Sequence, residues 1–294
     1  EKLIFNKNEN KKFIEQFILE GIPRKDWGRK NISEKINMIE LVDYKRNFFR
    51  YLKSRLFSFR MLHEYLKKLK NDYFQLSYYQ GIVAMIKRDF QKIRLRNWLE
   101  KNSIFPDLKK KYIYFALHYQ PERSTDPEAI YFTDQAMAIE LLAENLPEDY
   151  YIYVKEHPRQ YNDNFPDIKK THFRDIEDYE RIKKIKNVIF VKSDKSSKSL
   201  IDNCKFTASC NGTNIFEGLQ ESKPGIVFGK SWLSNCKSVL NVNEIDNLKE
   251  HINIANLKSK ESVKKDFIDF LNWAIDYGAI SVVAERFIRG SGVE

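Results

Sequence analysis

Tyr150-Tyr151-Ile152-Tyr153-Val154-Lys155-Glu156-His157-Pro158 is the stretch that decides the fold of this chain. Its apolar run reads as a strand that delivers a histidine into a loop, because the proline biases the residue before it toward extended backbone. Further along, Phe206-Thr207-Ala208-Ser209 reads as a second strand, running into the small polar turn Cys210-Asn211-Gly212-Thr213-Asn214. A loop histidine after one strand, and a small polar turn that opens a helix after a later one, is how an α/β sheet builds a nucleotide site at its carboxyl edge.

The same alternation continues on either side. The spacing predicts strands over residues 112–117, 150–154, 187–191, 206–209 and 225–228, and helices over 134–145, 196–202 and 214–220. An amphipathic helix over 262–277, built on Val263, Phe267, Phe270, Leu271 and Trp273, closes the chain. Strands alternating with helices at this spacing predict a parallel sheet with crossover helices, the Rossmann-like α/β class. Upstream, aromatic and leucine residues recur at spacings of three and four from Phe48 to Leu69 with Lys and Arg between them, and a second basic helix is predicted over 80–101. The organisation expected is a basic α-helical region over 1–109, a nucleotide-binding unit over 110–260 and carboxyl-terminal helices over 261–294.

Composition narrows the function classes. The chain has 294 residues, 42% of them hydrophobic, enough for one substantial core. No window approaches the roughly 18 uninterrupted apolar residues of a membrane span, and the first residues lack a signal-peptide core, so a cytoplasmic location is expected. Because it begins with Glu1, the chain is expected to be a processed or excised piece with an upstream domain missing. Cys204, Cys210 and Cys236 have neither Cys-x-x-Cys spacing nor a nearby histidine set, and are expected to be reduced thiols with no zinc site. The net charge of +10 is uneven: residues 1–111 hold 27 Lys and Arg against 13 Asp and Glu, and the remainder 24 against 28. Such a basic helical face could rest on an anionic membrane surface that holds lipid-linked acceptors, or stand solvated over a packed core; the second reading is preferred. No recognition motif for DNA or RNA accompanies the charge, so a nucleic-acid partner is not expected.

Three loops meet the carboxyl-edge condition. The first, residues 118–127, carries His118, Gln120, Glu122, Arg123 and Asp126. A carboxylate there could act as base or as nucleophile toward an anomeric carbon, or Asp126 could cap a helix while Glu122 pairs with Arg123. In the second loop His157 could donate to a phosphate or sugar oxygen, with Lys155 and Arg159 adding positive charge, or could simply cap a backbone group. In the third, Gly212 lets backbone approach a ligand, Ser209, Asn211 and Thr213 supply small polar groups, and free amides at the helix start favour a phosphate. Glu217, one turn further on, could accept from a ribose diol; an ordinary helix cap would satisfy the same residues. The turn has neither the Gly-x-Gly-x-x-Gly nor the P-loop spacing, which removes support for hydride transfer and nucleotide hydrolysis.

Taken in order, residues 112–122, Tyr153-Val154-Lys155-Glu156-His157-Pro158, and residues 209–218 with Lys223-Pro224-Gly225-Ile226-Val227-Phe228-Gly229 resemble the capsule polysaccharide biosynthesis family, which includes β-Kdo transferases. The resemblance covers roughly residues 110–235. It implies the carboxyl-terminal, donor-binding half of a GT-B glycosyltransferase, with the sugar coming from a CMP-linked donor, Kdo or a related sugar, and going to a surface polysaccharide or lipopolysaccharide. It implies that His157 and Pro158 match the His-Pro motif that contacts the nucleotide phosphate, that the 209–213 turn matches the phosphate-holding helix start, and that Glu122 or Asp126 carries the chemistry. It further favours transfer with retention; His157, the basic groups near it and the helix start would stabilise the leaving phosphate, so no metal or cofactor is expected. No complete amino-terminal Rossmann unit is legible in residues 1–109, a departure from the full GT-B pattern. Two alternatives stand beside this: a non-catalytic scaffold of the same fold, and a glycerophosphotransferase using a CDP-linked group.

Overall fold

The computed structural model describes residues 78–120, 125–157, 160 and 174–276. The basic helical pattern between Phe48 and Leu69 lies outside them. Among the described residues no helix is long and apolar enough to cross a membrane.

Six strands form one parallel sheet: β1 (Lys111–Ala116), β2 (Tyr150–Lys155), β3 (Val188–Phe190), β4 (Phe206–Ser209), β5 (Gly225–Val227) and β6 (Val239–Asn241). Their order in space is β3-β2-β1-β4-β5-β6, the doubly wound Rossmann arrangement. The direction in which strands are added reverses between β1 and β4, where Ile113 pairs with Phe206 and Phe115 with Ala208. The crevice beyond the carboxyl ends of these two strands is the topological switch point, the place where such sheets hold ligands.

Both faces of the sheet are covered, and the alternation of side chains along each strand divides them. Ile113 and Phe115 of β1 join Ile152 and Val154 of β2 in the larger core, with α2 (Gln135–Asn145) and α3 (Ile176–Lys184) over them. The end of α1 (Tyr78–Asn102) enters the same core through Leu95, Trp98 and Leu99, and α6 (Leu248–Asn256) through Leu248 and Ile252. On the opposite face Tyr112 and Tyr114 of β1 meet Tyr153 of β2 and α4 (Ser197–Asn203), Tyr112 and Tyr153 stacking at 4.3 Å. Beside them α5 (Thr213–Gln220) and α7 (Lys260–Asp276) close over β5 and β6 through Ile215, Leu219, Val227, Phe267 and Phe270. Full burial of a large apolar side chain is favourable by about 1.5–3 kcal/mol, so these interlocking rows hold the layers in place.

Among the described residues, the strands and helices predicted from sequence occur with shifts of one or two residues at their ends. Periodicity alone does not reveal α3, β6 and α6. Helix α3 has only nine residues and a polar composition, but its ends are well made: the Asp175 and Asp178 side chains form a reciprocal capping box, and Arg181, Lys183 and Lys184 occupy its last turn. Gly218 on α5 permits close approach to β4, since a Cβ there would lie 2.4 Å from Thr207 Oγ1. The three cysteines are buried and none is in a disulfide. Burial pushes the thiols of Cys204 and Cys210 up to about 12 and that of Cys236 to about 11.

Candidate functional site

The loops after β1 and β4 meet at the switch point. The Asn211 backbone N–H donates to His118 Nε2 at 3.3 Å, so the imidazole is an acceptor there and carries its proton on Nδ1. Burial, reinforced by the positive charges of Arg174 and His157, lowers the His118 pKa to about 4. At neutral pH this is a neutral ring. Its backbone is held as firmly as its side chain: Gln135 Oε1 accepts from the His118 N–H at 2.8 Å, and Arg174 Nη2 donates to the His118 carbonyl at 2.6 Å.

Because the folded-state pKa is depressed below the unfolded value of about 6.5, the unfolded chain binds more protons between those values. The contribution of His118 to stability is therefore complete above about pH 6.5 and is lost as pH falls through 4. The expected NMR result is a His118 ring that remains neutral at pH 6; a titration midpoint near 6.5 would contradict its burial against Asn211.

Gly212 sits in this joint. A Cβ on it would lie 2.8 Å from Asn214 Oδ1, 2.9 Å from Ser209 Oγ and 3.2 Å from His118 Nε2. Ser209, fully buried at the end of β4, accepts from the Gly212 N–H at 2.8 Å. Asn214 donates from Nδ2 to the Ala208 carbonyl at 3.0 Å. The expectation from sequence is free amides at the helix start. In the turn before it, Asn211 and Gly212 use theirs on His118 and Ser209, and within the helix the Ile215 N–H bonds the Gly212 carbonyl. The amides of Thr213 and Asn214, in the first turn of α5, have no intrahelical acceptor.

A second group lies behind the loops. Arg174 and Glu156 form an ion pair of 2.8 Å whose side chains are 6% and 3% exposed. Tyr179 on α3 donates to the other Glu156 oxygen at 2.5 Å, and the His157 N–H donates to Glu156 Oε1 at 2.5 Å. Burial pushes the Glu156 carboxyl up, against the charge of Arg174 and the bonds from Tyr179 and His157. Burial and the Glu156 charge raise the Tyr179 hydroxyl well above its ordinary value, so it stays a donor. Gln120 is tied in the same region, its N–H to Gln160 Oε1 at 3.0 Å and its Nε2 to the Thr133 carbonyl at 2.7 Å.

The structure thus brings together His118, Gln120, His157, Ser209, Asn211, Gly212 and Thr213 at the carboxyl edge. Lys155 lies on the other face. As the last residue of β2 it alternates with Glu156, and its ammonium donates to the Lys195 carbonyl at 2.5 Å and Ser197 Oγ at 3.1 Å, beside α4. Burial lowers its pKa to about 8, against the charges of Asp194 and Glu217. Glu217 acts electrostatically on this lysine and on Tyr114, which places it on the Lys155 side. Asp126 is exposed in the loop between β1 and α2. Glu122, Arg123, Pro158 and Arg159 lie outside the described residues.

Glu156, Gln135, Gln160, Arg174 and Tyr179 are parts of the site that sequence reasoning misses. The twofold period of a strand is the available signal for Glu156: with Lys155 on one face, its neighbour must turn to the other. Glu128 is a further member, its carboxylate accepting from Asn211 Nδ2 at 3.3 Å and its carbonyl from the Lys230 N–H at 2.8 Å.

A family model described as capsule polysaccharide biosynthesis protein matches residues 5–236. The chain belongs to the capsule polysaccharide biosynthesis family. The match begins far upstream of residue 110 and takes in the basic region. Among solved structures, this capsule polysaccharide biosynthesis protein is similar to the β-Kdo 2,7 transferase of Thermosulfurimonas dismutans KpsC, with 17% identity over 61% of this chain and 51% of that one and a TM-score of 0.36. It is similar also to the β-Kdo 2,4 transferase of the same KpsC, with 14% identity over 68% and 64% and a TM-score of 0.31. A third is the N-terminal domain of Candida albicans trehalose-6-phosphate phosphatase, with 14% identity over 70% and 45% and a TM-score of 0.38. The chain spans only part of each of these three structures, from 45% to 64% of their lengths. No curated protein sequence matches the chain. The fold rests on the strand order, and the family on the sequence match.

Proposed function

We propose that this chain is the nucleotide-sugar-binding half of a GT-B glycosyltransferase, taking a CMP-linked donor of Kdo or a related sugar for transfer to a surface glycan. The observation that carries the reading is the joint between His118 and Asn211 over the β1/β4 switch point, with the first turn of α5 beside it. In this reading the donor phosphate lies at the start of α5, where the Thr213 and Asn214 amides and the helix dipole meet its charge. His157 donates to the same phosphate.

Transfer breaks the bond between the anomeric carbon and the phosphate oxygen, and negative charge grows on the leaving CMP. Amides and an imidazole already aimed at that oxygen stabilise the transition state more than the ground state. Glu122 or Asp126 is proposed as the carboxylate that attacks the anomeric carbon as CMP leaves; the acceptor hydroxyl then displaces that carboxylate and gives up its proton, and the two inversions together retain configuration. Retention and independence of metal belong to the same proposal; contact of residues 1–111 with an anionic membrane is a second reading beside the solvated basic face, and the excess of Lys and Arg there is what favours it.

Calorimetric titration with CMP, CDP, UDP and GDP tests the donor. CMP is expected to bind selectively, with at least a tenfold loss in His157→Ala, the order of one charge-assisted hydrogen bond. Selective binding of UDP or GDP would overturn the CMP assignment. Binding by none would overturn the donor site.

A further inference from the structure

An arginine beside a nucleotide site is ordinarily a phosphate ligand, but Arg174 is already engaged. Its Nη2 donates to the His118 carbonyl at 2.6 Å and to Glu156 Oε1 at 2.8 Å, Nη1 donates to Gln120 Oε1 at 3.3 Å, and Nε donates to the Tyr179 hydroxyl at 3.3 Å. These bonds use four of the five N–H groups that a guanidinium has, and the side chain is only 6% exposed.

The acceptors belong to different parts of the chain. His118 and Gln120 follow β1, Glu156 follows β2, and Tyr179 lies on α3. His118 then reaches across the switch point to the Asn211 amide, and Glu156 holds the His157 amide. The two histidines of the first two loops are therefore each tied to Arg174, His118 directly and His157 through Glu156. Only a planar fork reaches such a spread of acceptors at once; an ammonium is a point charge.

We propose that Arg174 is a positioning residue, a buried fork that sets His118 and His157 against the Asn211–Gly212 turn without touching ligand itself. The proposal deepens the nucleotide-site reading and rests on it only where ligand affinity is measured.

Arg174→Lys tests it, because lysine keeps the charge beside Glu156 and loses the fork. The first readout, taken without ligand, is the nuclear Overhauser effect between the His118 ring and the Asn211 amide, which a merely structural role would leave alone in a folded variant. The expected result is a folded protein in which this effect is lost or at least halved. CMP affinity is expected to fall at least tenfold. A folded Arg174→Lys with the effect unchanged would overturn the proposal. If the wild type binds no CMP, the nucleotide reading fails while the ring-to-amide measurement still decides the positioning role. If Arg174→Lys does not fold, the neutral pair Arg174→Gln with Glu156→Gln, which leaves no uncompensated buried charge, takes its place: a lost or halved effect supports the positioning role, and an unchanged one overturns it.

Discussion

Arg174→Met is expected to destabilise the protein by about 3–5 kcal/mol, the cost of breaking a buried ion pair by removing one partner. Both side chains are almost wholly buried, and the Glu156 carboxylate would be left in the interior with only the Tyr179 hydroxyl and the His157 amide. Against a total stability of about 5–15 kcal/mol for an ordinary domain, that is a large fraction. The loss should be smaller at low pH. Burial already pushes the Glu156 carboxyl up, and without Arg174 it takes up a proton more readily, which relieves the unpaired charge. Removing both partners as Arg174→Met with Glu156→Gln should restore much of the difference. Urea unfolding of wild type and both variants at pH 7 and pH 5 measures this; a single variant within about 1 kcal/mol of wild type, the range of an exposed pair, would contradict a buried pair.

Gly212→Ala should act on the ligand more than on the fold. The Gly212 backbone is at φ −72° and ψ 159°, a conformation that alanine adopts freely, so the methyl group itself is the whole perturbation. It would arrive 2.8 Å from Asn214 Oδ1, 2.9 Å from Ser209 Oγ and 3.2 Å from His118 Nε2. Ser209 and Asn214 are buried, Ser209 Oγ holding the Gly212 N–H and Asn214 Nδ2 the Ala208 carbonyl of β4, so room for the methyl group comes from moving the turn away from the imidazole. Overpacking of this kind costs about 1–3 kcal/mol of stability. Displacing a reacting geometry by about 1 Å costs on the order of 10²-fold in rate, and CMP affinity and sugar transfer are both expected to fall sharply. Unchanged affinity in a folded Gly212→Ala protein would remove the turn from the site.

Much of this arrangement is legible in the amino-acid sequence. The apolar run ending at Val154, and Phe206–Ser209 before a polar turn, predict parallel strands and a carboxyl edge because hydrophobic runs of that length between turn residues have few other solutions. The His118 joint is legible only in part: its loop can be placed after a strand, but the contact with Asn211 spans 93 residues and depends on β1 and β4 being neighbours. In sequence Lys155 reads as a site cation because charge near a histidine looks functional. The pleat sends it to the α4 face and turns Glu156 toward Arg174 instead. Arg174 carries no signal of its own, since a single arginine ahead of a short polar helix has the sequence appearance of a solvated residue. Its role comes from three elements that only the tertiary fold brings together.

Whether the switch-point crevice holds a nucleotide is tested most directly by hydrogen exchange with and without saturating CMP. Slower exchange is expected at the amides of residues 117–120 and 209–214, with none at the amino edge of the sheet, where Leu146, Tyr150, Asn187 and Lys249 line a separate cavity. Protection confined to that amino-edge cavity, or none anywhere in the protein, would contradict a nucleotide at the switch point.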